Sequence, residues 1–284
     1  MKSPTPKSGT PAFVAALVQM RSGRSVDANM AAAEVLIRQA AGQGAQYVQT
    51  PEVTTLMDLD SVNIRDRTKP EEGNPCLTQF RSLAKELDIW LHIGSMGVIA
   101  GDRIANRSYL IAPDGRIAAR YDKIHMFDVQ LANGEVYKES ANYVPGGHAV
   151  VADLPWGRLG MTICYDLRFP LLHQSLVKAG AQFLSVPAAF TRSTGQAHWH
   201  TLLRARAIET QCFVLAAAQG GTHEHGRETY GHSLIISPWG TILAEGGEDP
   251  GVVIATIDPA EVAAVRGRIP CLQNARAFEI STPG

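Results

Sequence analysis

Two ten-residue segments of this chain share one pattern. Residues 108–117 read SYLIAPDGRI, and residues 233–242 read SLIISPWGTI. In both, a hydrophobic run leads into Pro-x-Gly, where proline presets φ and glycine supplies a positive φ, so each segment predicts a hairpin turn. One copy begins at 108 and the other at 233, which is 125 residues later. The chain is therefore expected to hold two related halves, each with its own sheet.

The first fifty residues indicate the fold class. A hydrophobic run at 13–20 has the length of a strand, Asp27 can cap a helix over 27–41, and a second strand is predicted at 45–50. Strand, helix and strand at this spacing form a βαβ unit, which favours an α/β fold. No linker-like stretch separates the halves. We therefore expect one domain over 11–284, preceded by a disordered tail at 1–10.

The rest of the chain continues this alternation. A surface loop is expected at 58–75 and an irregular tail at 269–284. The predicted helices cover 77–87, 167–179, 196–211 and 259–266. The predicted strands cover 88–99, 149–154, 159–163, 181–187, 212–218 and 251–257.

Composition excludes several classes of protein. The hydrophobic fraction is 45% and the net charge is −1, so neither a disordered chain nor a nucleic-acid binder is indicated. No apolar run approaches the length of a membrane span. The N-terminus has no hydrophobic stretch typical of a secretion signal, and the four cysteines show no CxxC spacing. We expect free thiols and a cytoplasmic location.

One cysteine lies where chemistry is expected. Cys164, in GRLGMTICYDLRFP, comes between a predicted strand and a predicted helix. Ligands bind at this end of strands in α/β sheets, and a helix N-terminus stabilises a thiolate. The alternative is a buried structural cysteine.

A nucleophilic thiol needs a base, which is commonly histidine. Three of the nine histidines, His223, His225 and His232, lie close together in GTHEHGRETYGH. They leave open a metal-dependent hydrolase, although a solvated loop is the simpler interpretation of their spacing. Glu52 and Lys123 also follow predicted strand segments, and only the fold could bring them to Cys164.

Several ordered segments resemble the nitrilase superfamily of carbon–nitrogen hydrolases. The segments are PEVT around Glu52, YDKIHMFD around Lys123, GMTICYDLRFP around Cys164, AHWHTLLRARAIETQCFV at 197–214 and YGHSLIISPWG at 230–240. Together they span most of the chain. The lysine, AHW and YGHS segments are most similar to the branch of deaminated-glutathione amidases and ω-amidases.

The resemblance implies a four-layer α-β-β-α sandwich and a Glu–Lys–Cys triad. Glu52 would act as general base, Cys164 as nucleophile and Lys123 as the stabiliser of the oxyanion. Glu139, in YKESANYVPGG, matches a second glutamate that the family places beside the lysine. No cofactor and no metal are implied, and the expected assembly is a homodimer or a larger homo-oligomer.

The implied reaction is hydrolysis of a small carboxylate-bearing amide through an acyl-thioester, with release of ammonia. Deaminated glutathione is the preferred substrate class. The alternatives are an ω-amidase acting on 2-oxo-dicarboxylate monoamides, an N-carbamoyl amine hydrolase, and an inactive binding or scaffold protein. Leu171 and His200 depart from the family pattern, which usually has glutamate at both positions.

Substrate contacts are expected around the nucleophile. The Tyr165 N–H could donate to the oxyanion. Arg168 could bind a substrate carboxylate through its planar fork, or form a structural salt bridge with Asp166 or another carboxylate. The remaining candidates for the pocket wall are Phe127, Tyr143, Phe190 and Thr191.

Overall fold

The computed structural model describes residues 9–131, 134–224 and 226–282. Nearly all of the predicted tail at 1–10 lies outside this part of the chain, and so does His225. The strands are β1 Phe13–Gln19, β2 Tyr47–Gln49, β3 Trp90–Ala100, β4 Arg103–Ile111, β5 Ile117–Asp122, β6 Asp128–Gln130, β7 Val136–Lys138, β8 Tyr143–Val144, β9 Val150–Leu154, β10 Gly157–Met161, β11 Phe183–Ser185, β12 Phe213–Ala216, β13 Gly220–Thr222, β14 Glu228–Tyr230, β15 Leu234–Ile236, β16 Ile242–Glu245 and β17 Gly251–Ile257. The helices are α1 Val26–Gly42, α2 Ser61–Arg67, α3 Pro75–Leu87, α4 Pro170–Lys178, α5 Arg192–Thr210, α6 Ala260–Arg268 and α7 Cys271–Asn274.

Two large sheets share one strand order. The first is ordered β17-β1-β2-β3-β4-β5, with β8 also paired to β4, and the second is ordered β9-β10-β11-β12-β15-β16. In each sheet three central strands are parallel. An antiparallel strand flanks them on one side, and an antiparallel hairpin completes the other. The prediction of two related halves is confirmed.

The repeated Pro-x-Gly segments occupy the same place in both sheets. Gly115, between β4 and β5, and Gly240, between β15 and β16, have φ of 82° and 85°. Both hairpins form the outer, antiparallel edge of their sheet. Glycine is needed at both positions because a side chain disfavours positive φ.

Residues of β1 alternate between two hydrophobic layers. Ala16 and Val18 pack in a cluster with α1 and α3 on the outer face of the first sheet. Phe13 and Leu17 point the other way, into a cluster with side chains of the second sheet. There the ring of Phe13 stacks on that of Trp156, with 4.1 Å between centroids. This period of two is expected of a strand buried on both faces.

Helices α4 and α5 pack on the second sheet, so the order of layers is helix, sheet, sheet, helix. The predicted α/β four-layer sandwich is confirmed. Among the described residues, we find no helix that is both long and apolar enough to cross a membrane.

Several sequence-based boundaries were wrong. The expected loop at 58–75 contains α2, which begins because the Asp60 side chain accepts hydrogen bonds from the N–H groups of Val62 and Asn63. The helix expected over 167–179 is divided into a 3₁₀ turn at Cys164–Arg168 and α4. Both differences come from local capping and turn geometry, to which hydrophobic periodicity is insensitive.

Candidate active site

Three chain segments that follow strands meet at one cavity. Glu52 follows β2, Lys123 follows β5, and Cys164 follows β10. The cavity has a volume of about 240 Å³. All ten predicted site residues line it: Glu52, Phe127, Lys123, Glu139, Tyr143, Cys164, Tyr165, Arg168, Phe190 and Thr191.

Cys164 lies in a tight turn between β10 and α4. Its φ is +49°, a left-handed conformation that is uncommon for residues other than glycine. The Cys164 N–H donates to the carbonyl of Pro187 at 2.9 Å, which ties the turn to the segment after β11. This sharp turn resembles the strained strand-to-helix turns that present the nucleophile in α/β-hydrolases.

The Asp166 carboxylate stabilises the same turn by hydrogen bonds. Its buried carboxylate accepts hydrogen bonds from the Tyr121 hydroxyl at 2.7 Å and from the Ile163 N–H at 2.9 Å. His125 adds a contact from its Nδ1 at 2.6 Å. Among the described residues, Arg168 forms no salt bridge with Asp166 or another carboxylate, so the salt-bridge alternative was wrong, and its Nη1 lies 3.3 Å from His198 Nδ1. The guanidinium of Arg168 lies instead 5.2 Å from the centroid of the Phe190 ring.

A buried lysine lies between two carboxylates. Lys123 Nζ donates to Glu52 Oε1 at 2.8 Å and to the two oxygens of Glu139 at 3.0 and 2.9 Å. Burial alone would lower the pKa of Lys123, but the charges of Glu139 and Glu52 outweigh it and hold the pKa well above its ordinary value. The lysine is therefore a fixed positive charge at the base of the cavity.

The carboxylate and the thiol have opposite pKa shifts. Burial acts to raise the pKa of Glu52, but the charge and hydrogen bond of Lys123 reverse this and the pKa is lowered. Burial raises the pKa of Cys164 well above its ordinary value, and the charge of Glu52 raises it further. At neutral pH the pair is therefore a carboxylate beside a neutral thiol, which is the arrangement of a base facing a nucleophile.

Asn106 was missed in the sequence analysis. Its Nδ2 donates to Glu52 Oε1 at 3.0 Å and to Glu139 Oε1 at 3.2 Å. The backbone carbonyl of Asn106 accepts a hydrogen bond from the backbone N–H of Lys123 at 3.0 Å. The amide thus fixes both carboxylates around the lysine. An asparagine inside a strand that is otherwise buried was the signal that could have identified it.

Arg227 is a second residue of the cavity that was not predicted from the sequence. It lines the cavity, donates from Nη2 to the carbonyl of Ala189 at 2.9 Å and lies over the ring of Tyr137. The Ala189 N–H donates in turn to Glu52 Oε2 at 3.0 Å. Two arginines, Arg168 and Arg227, therefore line the cavity that contains Cys164.

Of the three histidines of the alternative metal site, the two that the structure describes, His223 and His232, do not form a cluster. His223 is buried, with Nδ1 2.8 Å from the carbonyl of Ser22 and Nε2 2.7 Å from the Thr229 hydroxyl. His232 instead contacts Glu245. In the described part of the chain, His223 and His232 therefore have separate partners, and the proposed grouping was wrong.

Comparison with known proteins identifies the family. The family model described as "Carbon-nitrogen hydrolase" matches residues 14–267. This chain belongs to that family. A relative from Yersinia enterocolitica named deaminated glutathione amidase is 43% identical over 273 residues, covering 94% of each chain.

Solved structures agree with this assignment. The NitFhit protein of Caenorhabditis elegans superposes with a TM-score of 0.87 at 36% identity; the match covers 93% of this chain and 65% of that protein. A Saccharomyces cerevisiae member of branch 10 of the nitrilase superfamily has a TM-score of 0.83 at 28% identity and coverage of 95% and 97%. The predicted membership of the nitrilase superfamily is confirmed, and the enzyme is a hydrolase of carbon–nitrogen bonds.

Replacing the lysine tests the charge balance of this carbon–nitrogen hydrolase. We expect Lys123→Met to lower the free energy of unfolding at pH 7 by about 3–5 kcal/mol, because two buried carboxylates lose their cation. Because the pKa of Glu52 is lowered by folding, its ionised form stabilises the fold above its unfolded pKa of about 4.3. Because the pKa of Lys123 is raised, its charged form stabilises the fold below its unfolded pKa of about 10.4. Both contributions are therefore present at pH 7.

Urea unfolding at several pH values provides the measurement. The difference from the parent should narrow as the pH falls toward 4, because the unpaired carboxylates then become protonated. The exposed Lys85→Met on α3 is the control and should change stability little. A difference that stayed constant with pH would contradict the charge argument.

Proposed function

We propose that this hydrolase cleaves deaminated glutathione, or a close carboxylate-bearing linear amide, through an acyl-thioester on Cys164. The observation that carries the proposal is one cavity that holds a buried cysteine, a carboxylate–lysine–carboxylate group and two arginines. Relatives named for this activity support the substrate class.

In the first step Glu52 takes the thiol proton as Sγ attacks the amide carbon. The raised pKa of Cys164 keeps the proton on sulfur until then, so transfer and attack are coupled. The oxyanion would be stabilised by Lys123 and by the Tyr165 N–H. A fixed charge and a fixed dipole need no rearrangement as the negative charge develops.

Collapse of the tetrahedral intermediate expels the amine, which receives the proton held by Glu52. Water then loses a proton to the same carboxylate and attacks the thioester. When the second intermediate collapses, the thiolate leaves and recovers its proton from Glu52. Glu139 and Asn106 would keep Lys123 and Glu52 in position throughout.

The leaving amine depends on the substrate. A primary amide releases ammonia. Glutathione is γ-glutamyl-cysteinyl-glycine, so hydrolysis of its deaminated form at the γ-amide frees the amino group of cysteinylglycine. This substrate has a carboxylate at each end, and Arg168 and Arg227 offer two cationic partners in the same cavity.

The first test of the mechanism is removal of the thiol. We expect Cys164→Ala and Cys164→Ser to lower turnover by about 10⁴-fold or more, because alanine cannot form a covalent intermediate and the serine hydroxyl is poorly activated as a nucleophile. The assay is a panel of deaminated glutathione, a 2-oxo-dicarboxylate monoamide and an N-carbamoyl amine. Both ammonia and new amino groups are detected.

Cys76→Ser, on the half-buried face of α3, is the matched control and should retain activity. Turnover surviving in Cys164→Ala would overturn the mechanism. If all three substrates were inert with the parent enzyme, an inactive binding protein would be the better interpretation.

The second test concerns the arginines. Loss of a charge-assisted hydrogen bond is worth about 1.5–3 kcal/mol, so Arg227→Gln should raise KM for deaminated glutathione about 10–100-fold. For a small uncharged amide, the rise in KM should be at least about tenfold smaller. Exposed Arg116→Gln is the control. Equal losses in kcat/KM on both substrates would show that Arg227 supports the site without recognising the substrate.

We further propose a homodimer or larger homo-oligomer that buries the outer face of α5. Ile208 lies against Gly240, the residue that follows Trp239, and the side chains of Ile208 and Trp239 are about half exposed, at 51% and 53%. Ile208→Glu should therefore shift the molar mass measured by light scattering toward the monomer. Exposed Val35→Glu on α1 is the control. An unchanged mass in both variants would contradict this interface.

A cytoplasmic location and a single domain over 11–284 also belong to this proposal. Cys76, Cys164, Cys212 and Cys271 are free thiols, as a reducing compartment would maintain them. The cluster that joins the two sheets supports one common core. Activity recovered in a secreted or periplasmic fraction would contradict the location.

A further inference from the structure

A second group of chemically active side chains lies outside the catalytic cavity. His200 on α5, His232 between β14 and β15, and Glu245 at the end of β16 have ligand atoms within 4.8 Å of one another. His200 Nε2 and His232 Nδ1 are both 2.9 Å from Glu245 Oε1. None of the three lines the cavity that contains Cys164.

The composition of the cluster matches a transition-metal site. Imidazole nitrogen with one carboxylate suits zinc and its neighbours in the first transition row, whereas hard cations such as Mg²⁺ prefer oxygen alone. Zinc bonds to nitrogen and oxygen at about 2.0–2.2 Å, which puts tetrahedral ligand atoms about 3.3 Å apart. The 2.9 Å between Glu245 Oε1 and each imidazole nitrogen is close to this spacing, and all three ligand atoms lie within 4.8 Å of one another.

The neighbouring structure holds the ligands in place. His232 has φ of +53°, donates its N–H to the carbonyl of Gly247 at 2.8 Å, and accepts the indole N–H of Trp199 at 2.7 Å. Its ring stacks on Tyr230 with 4.4 Å between centroids. All three ligand side chains are partly open to solvent, which leaves an entry path for an ion.

We propose that His200, His232 and Glu245 bind one divalent transition-metal ion of the zinc class. The ion would tie α5 to the β15–β16 hairpin, and solvent would complete its coordination. His200 supplies the second imidazole at a position where the resembled family usually has glutamate. The site is separate from amide hydrolysis, so it stands or falls independently of the proposed activity.

Zinc titration by calorimetry tests the proposal on the full chain, free of any histidine tag and dialysed against a chelator. A Cys164→Ser, Cys271→Ser background removes the nucleophile and an exposed thiol as competing ligands. We expect one equivalent to bind. His200→Gln and Glu245→Gln should each weaken the Kd at least tenfold.

His198→Gln is the matched control, because His198 is exposed two residues earlier on the same helix. It should bind zinc like the background. A thermal scan adds a second readout: zinc should raise the Tm of the background and of His198→Gln, but not that of the two ligand variants. The absence of binding, or an equal affinity in all four proteins, would overturn the proposal.

Discussion

The pairing of buried Lys123 with Glu52 and Glu139 is the interaction on which the site depends. A lone ammonium or carboxylate at this depth would be strongly destabilising, so each charge requires the others. The pairing also sets the chemistry, because the lysine keeps Glu52 ionised while burial keeps the Cys164 thiol neutral. The same contacts that make the charges tolerable therefore place an ionised carboxylate beside a neutral thiol, with a fixed cation in the same cavity.

The two-sheet architecture brings this charged group to the thiol. Glu52 and Lys123 follow strands of the first sheet and Cys164 follows a strand of the second, so only the packing of one sheet on the other places the thiol beside them. Because the two sheets have the same strand order, strands of both halves end near the same cavity. Asn106, on β4, completes the arrangement by donating to both glutamates. A sandwich thus creates at its centre a polar site that neither sheet contains alone.

Two side chains connect the wall of the cavity to the cluster of His200, His232 and Glu245. Phe190 lines the cavity and its ring lies 4.9 Å from that of Trp199, whose indole donates to the carbonyl of His232. A metal ion on His232 would therefore be two contacts away from the substrate site. Through these contacts, the departure from the family pattern at His200 would affect the wall of the cavity.

The sequence by itself determined the α/β class and the repeated hairpins, because hydrophobic periodicity and turn residues are local signals. The ordered segments that resemble a known family also pointed to Glu52, Lys123, Glu139 and Cys164 as candidate site residues. The tertiary structure alone decided that Asn106 bridges the glutamates, that Arg227 lines the cavity of Cys164, and that His232 joins His200 and Glu245 rather than His223. These relations join residues far apart in the chain. They depend on how two sheets and their loops pack, which no local pattern encodes.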